Sequence, residues 1–160
     1  MREGLLDPVD GREEFDEFVR AVEPRLRRAL VAAYGSERGR EATAEALGWA
    51  WEHRSKLDSI EYPVAFLYRV AQSRSRPRKT RVLFERDVTD DLWIEPKLAG
   101  ALQSLTEGQR LAVLMVYGAG WTQVELADLL NVRPATVQKR LDRAMRTLRS
   151  QLEGEVRESK

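Results

Sequence analysis

The sequence WTQVELADLLNVRPATVQKRLDRAMRTLR, residues 121–149, has the most specific pattern in the chain. Thr122 and Glu125 have the spacing of a capping box, in which each side chain satisfies the other residue's free backbone N–H at a helix start. Asn131 lies at the end of that helix, where the turn requires a left-handed backbone. Asn adopts this conformation at a lower energetic cost than most residues. Pro134 suits the first position of a second helix. The pattern therefore predicts two helices joined by a short turn, a helix-turn-helix.

Apolar spacing in this stretch separates a buried face from an outer face. The residues predicted to face inward are Leu126, Ala127, Leu130, Val132, Val137, Leu141, Ala144 and Leu148. The outer face of the second helix then carries Arg133, Ala135, Thr136, Gln138, Lys139, Asp142 and Arg143. Gln, Lys and Arg reach base edges in a major groove, and Thr contacts a thymine methyl. Arg140 and Arg146 are better placed for backbone phosphates, which position a helix without specifying sequence.

The formal net charge is only +1, but the basic residues are concentrated in two patches. Residues 69–86 hold seven basic residues against the single acid Glu85, and residues 133–149 hold six against Asp142. Two such patches, separated by acidic segments, indicate two contact points on one polyanion. The alternative is that each patch is a solvated helix face.

Helical periodicity also runs through the other segments, and no strand-like alternation is present. One helix is predicted over residues 13–22, and Pro24 is expected to start the next one, which ends at Gly35. A third helix is predicted over residues 38–54, and Pro63 opens a fourth.

A second unit begins near Pro96 with a short helix marked by Leu98, Leu102 and Leu105. Thr106 and Gln109 form another capping box, and the helix that follows is expected to reach Tyr117 before Gly118 and Gly120 break it. The predicted fold class is all-α, with two small helical domains, residues 12–82 and 96–152, joined by a linker over 83–95.

Composition excludes several other classes of function. The chain has no cysteine and one histidine, His53, so a metal site lacks its commonest ligands and no cofactor is expected. No glycine-rich phosphate loop and no nucleophile beside a base is present, so we predict no catalytic residues and no enzyme activity. No apolar run approaches the roughly 20 residues of a membrane span, and the N-terminus has no signal core. We therefore expect a cytoplasmic protein without a membrane partner.

The whole chain resembles an extracytoplasmic-function sigma factor, the smallest kind of bacterial sigma factor. The segment from Ala101 to Arg149 is similar to the family's C-terminal domain, which reads the upstream (−35) promoter element. The segments FDEFVRAVEPRLRRALVAAYG, REATAEALGWAWEH and YPVAFLYRVAQSRSR are similar to the N-terminal domain, which grips RNA polymerase and melts the −10 element. The resemblance covers roughly residues 13–152.

The residue pattern and the resemblance together predict three sets of binding residues and no cofactor. For the −35 element they are Arg133, Ala135, Thr136, Gln138, Lys139, Arg140, Arg143 and Arg146. For the −10 element they are Tyr62, Arg69, Arg74, Arg76, Arg78, Lys79 and Arg81. For core RNA polymerase they are Glu41, Glu45, Trp49 and Glu52. The implied partners are core RNA polymerase and promoter DNA, with an anti-sigma factor as a further candidate.

Within these sets several alternatives remain open. Trp49 and Trp51 lie about 200° apart on a helix, so we do not expect both to be core, and one is a candidate interface anchor. Tyr62 or Phe66 is a candidate stacking platform for a flipped base, although Phe66 also lies on an apolar stripe. The family's clamp-binding helix usually has an Asp followed three residues later by Gln, whereas this chain has Glu41 and Ala44.

Two other functions fit parts of the sequence. The first is a helix-turn-helix regulator that binds DNA without directing the polymerase, which the changed clamp motif favours. The second is a helical adaptor whose basic faces bind acidic proteins. A plain regulator has no need of the segment YPVAFLYRVAQSRSRPRKTR, residues 62–81, and an adaptor has no salt-sensitive affinity for DNA.

Overall fold

The computed structural model describes residues 10–74 and 96–158, and every regular element in these two ranges is a helix. This confirms the all-α fold class. The predicted linker and the basic residues Arg76, Arg78, Lys79 and Arg81 lie outside the described residues. None of the described helices has the length and apolar character that a membrane crossing requires.

The first group of helices contains α1, α2 and α3, with a short 3₁₀ helix between the last two. Their bounds are Asp10–Tyr34 for α1, Ser36–Glu52 for α2, Arg54–Ser59 for the 3₁₀ helix and Pro63–Arg74 for α3. The three α-helices pack on one another, and the predicted start of a helix at Pro63 is confirmed.

Helix α1 runs through Pro24 without interruption, so the prediction of two helices on either side of this proline was wrong. A proline inside a helix removes one hydrogen bond and crowds the preceding turn. Here the apolar stripe keeps its phase across the proline, and Val22 and Leu26 on either side of it are both buried. Because a break would take one of them out of the core, their burial outweighs the lost hydrogen bond.

Helix α2 approaches α1 so closely that only glycine fits at the crossing. A Cβ atom added to Gly39 would lie 2.5 Å from the Cα atom of Val31 and 2.6 Å from its backbone nitrogen. One turn later, the buried hydroxyl of Thr43 donates to the Gly39 carbonyl at 2.7 Å, which satisfies its hydrogen-bonding need inside the helix pair.

The second group contains four α-helices, of which the last two form the predicted helix-turn-helix. Their bounds are Pro96–Gln103 for α4, Glu107–Val113 for α5, Gln123–Leu130 for α6 and Pro134–Glu158 for α7. Helices α4, α5 and α6 all pack against α7. The capping box at Thr106 and Gln109 is confirmed, with both reciprocal hydrogen bonds formed.

The helix predicted to continue to Tyr117 changes its winding at Leu114, where a π-helical turn spans Leu114–Gly118. The wider turn lets Leu114 and Met115, neighbours in sequence, both become buried. Among the large apolar side chains of the described residues, Tyr117 is then the most exposed, at 64%. Gly120 ends the segment with a φ of 76°, a conformation that glycine adopts without steric cost.

The buried apolar residues form one continuous cluster that extends through both groups of helices. Two contacts carry it from one group to the other: α3 packs on α6, and α1 packs on the π-helical turn. The helix-turn-helix is therefore packed directly against the first group.

Candidate nucleic-acid interface

The helix-turn-helix has the local geometry that its sequence predicts. The Thr122 hydroxyl accepts from the Glu125 backbone N–H at 3.2 Å, and the Glu125 carboxylate accepts from the Thr122 N–H at 2.8 Å. Asn131 is left-handed, with φ 53° and ψ 46°, and ends α6. The Val132 N–H then donates to the Ala127 carbonyl at 3.0 Å, which closes the turn.

The predicted inner face of α7 is buried and fixes how the helix presents its opposite side. Its four apolar members, each exposed by 4% or less, are Val137, Leu141, Ala144 and Leu148. From the first helix of the motif, Leu126 and Ala127 are buried with them. Because this stripe is continuous over three turns, its packing fixes the rotation of α7 about its own axis. The packing therefore determines which side chains of α7 face outward.

Most of the predicted −35 residues lie on this outer face. The exposed members are Arg133, Ala135, Gln138, Lys139, Arg143 and Arg146. Thr136 and Arg140 are half-buried. The Gln138 amide donates to the Asp142 carboxylate at 2.9 Å, so a base contact by Gln138 has to replace or share this bond.

Arg140 differs from its neighbours because its side chain turns towards another helix. Its guanidinium carbon lies 3.8 Å from the position that a Cβ atom would take on Gly108, in the first turn of α5. This placement sets it at the edge of the outer face, which fits its predicted role with phosphates better than one with bases.

Three of the predicted −10 residues are described. Tyr62 is half-buried just before α3, and Arg69 and Arg74 are exposed on that helix. Partial burial raises the pKa of the Tyr62 phenol, and the nearby carboxylates of Glu61 and Asp128 add to the shift. Tyr62 is therefore an uncharged phenol at neutral pH, able to stack on a base or to donate a hydrogen bond.

Arg69 is occupied by the helix-turn-helix. Its guanidinium donates to the Asp128 carboxylate at 3.0 Å and also to the Asp128 backbone carbonyl, near the C-terminal end of α6. The guanidinium donors that bind this carboxylate are the same ones with which arginine binds phosphates.

The acidic residues predicted to bind polymerase share one face of α2. Glu41, Glu45 and Glu52 are all exposed, and their spacing keeps them within about 40° of one another around the helix. Trp49 is half-buried: its ring stacks on His53 with centroids 4.2 Å apart and contacts Phe66 at 5.2 Å. Phe66 is thus packed beneath a tryptophan.

Trp51 is the more exposed of the two tryptophans on α2, at 36%. It meets Phe15 edge to face at 5.0 Å, and the Arg54 guanidinium lies 4.2 Å from the centre of its ring. As expected from their angular separation, the two tryptophans are not both core.

Sequence reasoning missed the contact between the two groups of helices. Trp121 is buried against Tyr68 of α3, edge to face at 5.7 Å, and its indole N–H donates to the Arg25 carbonyl at 3.1 Å. The Arg25 side chain in turn donates to the Gly120 carbonyl at 3.0 Å and pairs with Glu125. Burial, with a smaller contribution from Tyr34, raises the pKa of the Tyr68 phenol. The available signal was Trp121 itself, a large apolar residue directly before a helix cap.

Within the two described ranges, no group of three or more potential ligands is placed to hold a metal ion.

Comparison with known proteins assigns this architecture to a class. The family described as Sigma-70, region 4, matches residues 97–148, which contain α4 to α6 and the first half of α7. The chain is 26% identical over 172 residues to the ECF RNA polymerase sigma factor SigK of Mycolicibacterium vanbaalenii, covering 85% of this chain and 88% of that protein.

Two solved structures share the fold. The sigma factor RpoE of Bartonella quintana, solved with the anti-sigma factor NepR, superposes with a TM-score of 0.57 at 21% identity, covering 88% of this chain and 98% of that one. CnrH, solved with the cytosolic domain of CnrY, gives a TM-score of 0.58 at 20% identity, covering 89% and 90% of the two chains.

The region 4 match and the helix-turn-helix geometry together define a sigma-type DNA-binding protein. Along most of its length the chain is also similar to an extracytoplasmic-function sigma factor, SigK.

Proposed function

We propose that this chain is a sigma factor that binds core RNA polymerase and directs promoter-specific initiation, reading the −35 element with the outer face of α7. The observation that carries the proposal is the built helix-turn-helix, whose buried stripe holds α7 and leaves Lys139, Arg143 and their neighbours exposed on one face. Bases are read by the polar and basic side chains of that face, and Arg140 and Arg146 hold flanking phosphates.

The first group of helices serves the −10 element and the polymerase, and the second group serves the −35 element. These roles correspond to the predicted domains, residues 12–82 and 96–152. Tyr62 stacks on an unpaired base, and Arg69 and Arg74 bind phosphates of the melted strand, together with the basic residues that follow α3. The exposed acidic face of α2, formed by Glu41, Glu45 and Glu52, docks on the polymerase. Trp49 supports this face from below through its packing on Phe66.

The chain itself performs no catalysis in this account, since the polymerase supplies the chemistry and the sigma factor supplies binding and orientation. It acts in the cytoplasm, where the polymerase and the promoter are. An anti-sigma factor is a further partner. This is supported by the two solved structures, in which RpoE is bound to the anti-sigma factor NepR and CnrH is bound to the cytosolic domain of CnrY.

The recognition face is tested by replacing Lys139 and Arg143 with alanine, singly and together. Each replacement removes a contact made by α7, and a lost base contact weakens promoter binding by about 1–3 kcal/mol. The measurement is the affinity of holoenzyme for duplexes selected by the parent protein from a random library.

Arg149→Ala is the matched control, because Arg149 is an equally exposed arginine on the same helix but lies outside the proposed recognition set. It should lower affinity only slightly and leave sequence preference unchanged. Equal losses for Arg149→Ala and Arg143→Ala would show that α7 contributes only general positive charge.

A further inference from the structure

Asp142 is the one acidic residue in the basic stretch from Arg133 to Arg149. It is exposed on the outer face of α7, the face that enters the major groove in the proposed function. A carboxylate on this face repels the phosphates that line the groove, so it weakens DNA binding in general. A contribution to DNA affinity therefore does not account for the acid at this position.

The hydrogen bond of Asp142 shows which neighbour it acts on. Lys139 and Arg146 both lie within one turn of it on α7, at spacings that suit an ion pair. Within the described residues, however, the carboxylate accepts from the Gln138 side-chain amide at 2.9 Å and is paired with neither cation. Gln138 and Asp142 are four residues apart, so they lie within about 40° of each other around the helix, and both are exposed. The carboxylate is thus engaged with an amide that is proposed to read a base.

This bond fixes which groups of the Gln138 amide remain available to DNA. A primary amide has two N–H donors on its nitrogen and an acceptor on its oxygen, whereas an ionised carboxylate only accepts. The amide nitrogen therefore has to face Asp142, because the amide oxygen would meet a second acceptor there. One N–H and the carbonyl oxygen are left for a base.

The two remaining groups of the amide match adenine and do not match guanine. In the major groove adenine presents the acceptor N7 beside the N6 amino donor, and a glutamine amide bonds to both at once. Guanine presents two acceptors, N7 and O6, and pairing with both requires two donors. With one N–H held by Asp142, the guanine O6 would face the amide oxygen or the carboxylate, and such unpaired acceptors discriminate against the wrong base.

We propose that Asp142 is a positioning residue: by holding the Gln138 amide in one orientation, it makes one position of the −35 element select adenine over guanine. This inference rests on the proposed function, because it takes the outer face of α7 to be the surface that reads bases. It goes beyond that function by naming the base that is read and by giving a role to Asp142, which is outside the predicted DNA-binding set.

The test is the selection of duplexes by holoenzyme from a library randomised across the −35 element, followed by sequencing of the bound DNA. Gln138→Ala identifies the position that the amide reads, as the one whose base preference it abolishes. There the parent should prefer adenine to guanine about tenfold or more, the range of one bidentate contact. Asp142→Ala should reduce this ratio to about threefold or less, because the freed amide can offer both donors to guanine.

Further variants separate the orientation of the amide from the effect of charge. Asp142→Glu keeps a carboxylate that only accepts and should restore most of the preference. Glu153→Ala is the matched control: it removes an acidic charge from an exposed position on the same helix, about four turns from Gln138, and should leave the preference unchanged. In the Gln138→Ala background, Asp142→Ala should make no further difference to it.

The possible failures are distinguishable. If Asp142→Ala changes the preference no more than Glu153→Ala does, or if the parent prefers guanine at that position, orientation by Asp142 is refuted and reading of the −35 element by α7 stands. If Gln138→Ala changes no preference although Lys139→Ala and Arg143→Ala do, Gln138 reads no base and only the role of this pair is refuted. If the parent holoenzyme selects no sequence, the proposed function fails as well.

Discussion

At the scale of single residues, Asn131 decides whether the helix-turn-helix can form. Its backbone is left-handed, and it is the one non-glycine residue with positive φ in the described part of the chain. Asn131→Gly should leave the free energy of unfolding nearly unchanged, because glycine adopts this conformation readily. Asn131→Val should lower that free energy by about 1–2 kcal/mol, since a β-branched side chain collides with its own backbone there.

Urea unfolding followed by circular dichroism measures both Asn131 variants against the parent. The glycine variant serves as the control for loss of the amide side chain. A valine variant with the parent's unfolding midpoint would mean that the turn adopts another conformation.

Prediction from the sequence succeeded for residues whose conformation is determined by their immediate neighbours in the chain. Asn131, Thr122 and Pro134 have roles set by residues within a turn of themselves, and all three were predicted correctly. Arg25 has no such local reason, because its partners Gly120 and Glu125 are 95 and 100 residues away. Contacts at that separation leave no periodic signal, so the cross-group pairs were missed.

At the scale of elements, the α1–α2 crossing depends on Gly39. Gly39→Ala should lower the free energy of unfolding by about 3 kcal/mol, the upper end for overpacking, because the new methyl group would meet backbone atoms that cannot move aside. Thermal or urea denaturation measures the change.

Gly48→Ala is the matched control in the same helix, since a Cβ atom there meets nothing within 4 Å. It should stabilise the protein by up to about 1 kcal/mol through helix propensity. Equal effects of the two substitutions would contradict the close approach at Gly39.

Two features of the helices could not be predicted from the spacing of apolar residues and helix-breaking residues alone. Pro24 was read as a helix start from its own chemistry, but the burial of Val22 and Leu26 keeps α1 continuous. The π-helical turn at Leu114–Gly118 was also not predicted, because its cause is the packing of two adjacent residues into one core. In both cases tertiary burial outweighs a local preference, and a single sequence does not show that burial.

At the scale of the whole molecule, the proposed function predicts a change in the distance between the two groups of helices, because units in direct contact cannot reach two promoter elements that are about 25 base pairs, or about 85 Å of B-form DNA, apart. The chain has no cysteine, so a dye pair can be attached at Ser55→Cys and Gln151→Cys, two exposed positions on different groups. Energy transfer between the dyes should be high in the free protein and should fall when core RNA polymerase is added.

A pair at Ser55→Cys and Glu37→Cys controls for dye effects, because both positions are exposed and belong to the first group. Its transfer efficiency should stay constant. Constant efficiency for the Ser55 and Gln151 pair as well, with polymerase demonstrably bound, would contradict separation of the units.

Whether this chain directs core RNA polymerase to promoters can be measured in a single experiment. Purified bacterial core polymerase is captured with the protein and then used for run-off transcription on genomic fragments. We expect stable capture and new transcripts for the parent, and capture without those transcripts for the Lys139→Ala, Arg143→Ala double variant. No capture of core polymerase, with DNA affinity intact, would contradict it and would favour a DNA-binding regulator instead.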